Sequence, residues 1–148
     1  MIELLLAGLL ITQDAAAAPD CGREDTTMAV NACLSDVLER ESVRMEAYFA
    51  AALERVTLDE AEAGTADAEV DIGADMRQAQ SLWRAYADQA CGVIYTRWRE
   101  GSIRNALALQ CGIDLTRERT HHLWKAFLTY PDSTPPILPE PVGAAEEP

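Results

Sequence analysis

The stretch QSLWRAYADQAC, residues 80–91, decides how this chain folds. Trp83, Ala87 and Cys91 recur at steps of four, which aligns them on one face of a helix. Tyr86 follows Trp83 by one turn and flanks that stripe. Extending the pattern gives a helix from Ile72 to about Trp98. Met76, Ala79, Ala90, Ile94 and Trp98 share the inner side, and Arg77, Arg84 and Asp88 take the other. REGS, residues 99–102, reads as a turn, with Gly101 supplying the backbone freedom of a helix end. A further helical region runs from Ile103 to about Leu128, with a bend expected at Gly112. Gly101 lies midway between Cys91 and Cys111. In an antiparallel pair, equal steps back and forward reach the same height, about 15 Å from the turn. That geometry pairs Cys91 with Cys111.

Upstream, Thr26 to about Val56 reads as one long helix. Its apolar positions, among them Leu34, Val37, Met45, Tyr48, Ala52 and Val56, recur at steps of three and four. Asp25, Thr26 and Thr27 are candidate N-caps. Cys33 lies about 10 Å into this helix, within reach of an extended segment from Cys21 to Asp25. Four cysteines admit three pairings, and these distances select Cys21–Cys33 and Cys91–Cys111. The spacings are too long for a zinc site, which wants cysteines two to four residues apart.

The formal net charge is −13 and the sequence pI about 4.4. Nucleic acids and anionic membrane surfaces are therefore poor partners, whereas a cationic protein is attracted. At 148 residues there is room for one core. The start, MIELLLAGLLITQDAAAAPDC, carries an apolar run from Ile2 to Ile11 and then small residues, so residues 1–18 read as an export signal. The run is too short to span a membrane, and no cysteine stands at the cleavage region to take a lipid. Loss of Glu3 and Asp14 with the signal changes the charge from −13 to −11. Cysteines in even number behind such a signal point to two disulfides in an oxidising compartment, periplasmic or secreted.

TLDEAEAGTADAEVD, residues 57–71, reads as a solvated connection. It carries Asp59, Glu60, Glu62, Asp67, Glu69 and Asp71, the candidate surface for a cationic partner. It is not a calcium loop, since Ala61 and Ala63 occupy ligand positions. The tail, 131–148, holds six of the seven prolines and is expected to be extended and disordered. The helical domain is thus expected over 19–130.

Catalytic chemistry is poorly represented. His121 and His122 are adjacent on a helix, about 100° apart, and neither has an evident nucleophile. Glu118 and His122 form an ordinary helix-surface spacing. No phosphate loop, dinucleotide motif or zinc-protease helix occurs. Trp83, Trp98 and Trp124 read as packing residues rather than a ligand shelf. Arg119 follows Cys111 and Leu115 on the inward stripe, so its guanidinium needs a buried acceptor, for which Asp88 or a helix C-terminus is the candidate.

Several residues together resemble the LprI-type lysozyme-inhibitor domain. They are Cys21, Asn31, Cys33 and Tyr48 around the first helix; Gln80, Trp83, Tyr86, Asp88 and Cys91 in the second; and Gly101, Ser102, Cys111, Leu115, Thr116, Arg119 and Leu123 beyond. The resemblance spans about residues 21–128. Ala87 stands where the pattern has an arginine, and Arg44-Met45 where it often has Leu-Asn. The resemblance implies a structural role for the motif residues and, for the domain, binding to a lysozyme.

The expected fold is all-α: a small antiparallel bundle of about three helices stapled by two disulfides. The expected function is non-enzymatic binding and inhibition of a cationic wall-degrading enzyme, with no cofactor and no metal. The alternative is an envelope interaction or stress module that binds another periplasmic protein.

Overall fold

The structure is a computed structural model that describes residues 19–63 and 71–141. The proposed signal (1–18), Asp67, Glu69 and residues 142–148 lie outside the described residues. Three helices carry the fold: α1 (Thr27–Ala63), α2 (Ile72–Arg97) and α3 (Arg104–Leu123). A short 3₁₀ turn (Cys21–Arg23) precedes α1, and one π-helical turn (Trp124–Leu128) continues α3. The path is up, down, up. α3 packs along both other helices, while α1 and α2 touch over a shorter length.

α1 begins where the Thr26 hydroxyl accepts from Ala29 N, 3.1 Å away, capping an otherwise unpaired donor. It runs seven residues past Val56, so Thr57–Ala63 is helix and not the connection expected from its acidic residues and few apolar ones. Alanine, leucine and glutamate are strong helix formers, and Arg55–Asp59 is an i,i+4 ion pair at 3.4 Å. Exposed helical turns need no apolar face once the helix is nucleated below them. α2 starts at Asp71, whose carboxylate accepts from Ala74 N at 2.6 Å.

Both disulfides form as the helix geometry requires: Cys21–Cys33 and Cys91–Cys111, each with Cα atoms 5.6 Å apart. Between the latter pair the chain turns through Trp98–Ile103, with Gly101 N donating to Trp98 O at 2.8 Å. Gly101 stands in the turn as expected, without a left-handed backbone conformation, because consecutive tight turns suffice to reverse the chain. Trp98 and Ala79 depart from their expected inner positions: Trp98 is the C-cap of α2, at the end of the bundle, and both are exposed. α3 runs unbroken through Gly112. A Cβ there would lie 3.3 Å from both Leu38 methyl groups, so the glycine lets α3 approach α1 closely.

Two apolar clusters form the core. Cys21, Val37 and Ile113 lie towards the start of α1, with Cys33, Leu34 and Leu38 around them. Tyr48, Ala52, Val56, Met76 and Leu128 form the larger cluster, bordered by Phe49, Leu53, Trp124, Phe127 and Leu138. Leu138 belongs to the tail, and here the expectation of disorder fails for residues 131–141. The segment has no regular secondary structure, as its prolines dictate. It is nevertheless fastened at three points. Ile137 N donates to Leu128 O (2.9 Å), Trp124 Nε1 to Leu138 O (3.0 Å) and the Tyr48 hydroxyl to Pro139 O (2.7 Å). Proline removes a donor but keeps its carbonyl acceptor, and Tyr48 uses that of Pro139.

Burial pushes the Tyr48 phenol pKa up, with Arg44 partly offsetting the shift. The protonated phenol is the form that holds the tail. Its contribution is present below the ordinary tyrosine pKa of about 10 and is lost as pH rises through the higher folded value. Tyr48→Phe should cost about 1 kcal/mol at neutral pH and speed amide exchange at Ile137. The wild-type tail should loosen in alkali, whereas the variant should lack that titration. Equal exchange rates in both proteins at neutral pH would contradict the tether.

Candidate functional site

Between the two apolar clusters the helices meet through buried polar groups. Glu41 on α1 is 4% exposed, yet it carries a carboxylate. Arg117 Nε on α3 donates to its Oε1 at 2.9 Å, Arg44 Nη2 donates to the same oxygen at 3.4 Å, and Arg44 Nη1 lies 3.3 Å from Oε2. Two cations thus flank one buried anion, which is the arrangement that burial of a carboxylate demands.

One turn further along the bundle, Gln80 on α2 is 1% exposed. Its carbonyl accepts from Arg119 Nε at 3.0 Å, and its amide donates to the Met45 sulfur at 3.3 Å. Gln80 therefore joins all three helices. Asp88, the acceptor expected for Arg119, is exposed and makes no such contact; a neutral amide takes the place of a carboxylate. Desolvation pulls the Arg119 pKa below its ordinary value. Thr116 and Thr120, both buried on α3, turn their hydroxyls back to the carbonyls of Gly112 and Thr116 (2.7 and 2.8 Å). They fill space beside the ionic groups without asking for outside partners.

Gln80→Leu should destabilise by about 1–3 kcal/mol, because Arg119 loses its buried acceptor. Arg119→Met should cost a similar amount, and the double variant less than the sum. Urea denaturation of the four proteins measures the coupling. Strict additivity would show that the two side chains do not act as a pair.

The remaining motif residues fall into three settings. Tyr48 and Leu123 are buried in the core, and Trp83 and Leu115 are half-buried. Gly101 and Ser102 form the α2–α3 turn. Asn31 Oδ1 is buried without a partner, in the wall of a shallow groove shared with Tyr95 and Asn105. Tyr86 and Asp88 point away from the bundle. Trp83, Trp98 and Trp124 form no common shelf: Trp98 caps α2 at one end, and Trp124 meets the tail at the other.

The acidic candidates divide as well. Asp59 pairs with Arg55, Glu60 accepts from Ile72 N at 2.8 Å, and Asp71 caps α2. Glu60 and Asp71 close the α1–α2 connection, whereas the Asp59 pair lies within α1. Glu62 is exposed on the last turn of α1. Arg55 also donates to Phe127 O and Thr129 O (3.1 and 3.3 Å) and stacks on Tyr130, tying the end of α1 to the end of α3. His121 lies 3.5 Å from Glu140 and packs beside the Trp124 ring; His122 is exposed. Among the described residues, no three His, Cys, Asp or Glu side chains cluster as a metal site requires. No described helix is long and apolar enough to cross a membrane.

Sequence reading missed Glu41. A lone acid four residues after Val37 looks like a solvated position, and only Arg117, 76 residues away, shows otherwise. Its spacing from the buried Val37, Met45 and Tyr48 was the available signal.

These features define a class: a small all-α domain of three helices, stapled by two disulfides and joined at mid-height through buried polar groups. Residues 18–123 match the model of the family described as lysozyme inhibitor LprI. The chain belongs to that family. No curated protein and no solved structure matches it.

Proposed function

We propose that the helical domain binds a cationic lysozyme and inhibits it, without catalysing a reaction of its own. The observation that carries this reading is the family match over residues 18–123. The net charge of −13 supports it, because a strongly acidic protein raises the encounter rate with a basic enzyme. Two disulfides fit an exported protein, periplasmic or secreted, with residues 1–18 as its signal.

Charge steers the encounter, but inhibition needs a fixed surface that covers the enzyme's cleft. The acidic end of the bundle is the proposed surface. Glu60 and Asp71 are occupied as caps there; Glu62, Asp67 and Glu69 are the carboxylates assigned to meet arginines of the partner. The test is lysis of a cell-wall suspension by lysozyme, with and without the protein, over a salt series. Inhibition that weakens as salt rises is expected. Undiminished lysis at large molar excess in low salt would discard the inhibitor reading. The variant Glu62→Gln, Asp67→Asn, Glu69→Gln keeps both caps and should lose inhibition. If it inhibits fully, the reading stands but the surface lies elsewhere.

A further inference from the structure

The outward side of α2 carries large apolar groups that the bundle does not use. Leu82, Tyr86 and Val93 are 61%, 59% and 57% exposed. At 100° per residue they fall within about 40° of one another, forming a single stripe. Beside it, a Cβ on Gly92 would have no atom within 4 Å, and a shallow groove of about 710 Å³ runs past Gln89, Gly92 and Val93. The stripe ends in Asp75 towards the start of the helix and in Arg97 towards its end. Neither side chain has an ion-pair or hydrogen-bond partner among the described residues.

The order of groups along this stripe is complementary to its own reverse. Lay a second α2 antiparallel, centred on Tyr86. Tyr86 then meets its own copy, Leu82 meets Ala90, and Ala79 meets Val93. Leu82 and Val93 thus each face an alanine, and Asp75 faces Arg97 at both ends. A two-fold pairing makes each of these contacts twice, save that of Tyr86 with its own copy on the axis, as an isologous interface must. From these complementary ends and the exposed apolar centre, we infer that the outer face of α2 docks a second copy of this chain, antiparallel and two-fold symmetric. This stands apart from the lysozyme reading, since it uses neither the acidic end nor any property of a cationic partner.

The contact is small. It runs ~33 Å along the helix and uses far fewer residues than the roughly 20–30 per side of a standard interface. The dimer is therefore weak and concentration-dependent. Each copy is also strongly acidic, −13 for the full sequence, and the long-range repulsion is largely screened beyond about 8 Å at physiological salt. The direct Asp75–Arg97 contacts lie inside that distance.

Sedimentation equilibrium at physiological salt, on the disulfide-intact chain from micromolar to millimolar concentration, reads the association. Circular dichroism checks that each variant is folded. The wild type should pass from monomer to dimer, and Tyr86→Glu should stay monomeric throughout. Asp75→Arg and Arg97→Asp should each weaken association roughly tenfold, by replacing two attractions with two repulsions. The double reversal should restore it, because the charges then meet again with their signs exchanged. A wild type that stays monomeric to millimolar overturns the inference. So does a dimer indifferent to Tyr86→Glu, or a double reversal that binds no better than the single ones.

Discussion

Leu128→Ala should lower the stability of the domain by about 2–5 kcal/mol, the range for emptying a buried leucine site. Leu128 is fully buried, and it reaches the core through the π-helical turn that ends α3. Tyr48, Ala52, Val56 and Met76 surround it, so the site draws on α1 and α2 as well as its own segment. Collapse around the cavity would lessen the cost. Two tethers oppose it: Ile137 N is bonded to Leu128 O, and Arg55 holds the carbonyls of Phe127 and Thr129 on either side. The upper half of the range is therefore expected. Denaturant midpoints for wild type, Leu128→Ala and Leu82→Ala provide the measurement. Leu82 is exposed on α2, and its truncation should stay within about 0.5 kcal/mol. Equal losses for the two leucines would contradict the core assigned here.

Replacing Cys91 and Cys111 by serine should cost about 3 kcal/mol, from the loop-closure entropy restored to the unfolded chain over a separation of 20 residues. The loss should be uneven. The fully buried residues of α2 are Gly73, Met76 and Gln80, all in its first third. Beyond Gln80 the helix is held by half-buried contacts such as Trp83, Ala87 and Ile94, and by the disulfide. Without the bridge, the later part of α2 and the turn to α3 should open below the global unfolding free energy. Hydrogen exchange resolved by residue tests this: protection should fall most over residues 85–103 and least around Tyr48 and Ala52. A uniform fall across all three helices would show that the bridge acts only through the unfolded state.

Helix number, helix order and cysteine pairing were legible in the sequence because each rests on local spacing. Steps of three and four mark a buried face, and Gly101 at the midpoint of Cys91 and Cys111 sets equal heights on two helices. The boundary of α1 was misread for a related reason. The stretch from Thr57 to Ala63 holds few apolar residues and leaves Leu58 exposed, and a missing buried face does not mean a missing helix. Propensity and the Arg55–Asp59 pair maintain the helix without one. The family pattern singled out Gln80 and Arg119, but their mutual contact spans 39 residues and two helices.

What the sequence determined by itself was the all-α class, the two staples and the strongly acidic character, since these follow from periodicity, reach and composition. Only the tertiary structure decided which polar residues are buried and whom they meet. Glu41 lies between Arg44 and Arg117, Gln80 rather than Asp88 receives Arg119, and Tyr48 with Trp124 fastens a proline-rich tail through its carbonyls. Helical periodicity says which way a side chain points on its own helix. Its partner depends on how the helices are rotated and slid against one another, which close contacts such as Gly112 against Leu38 set in three dimensions.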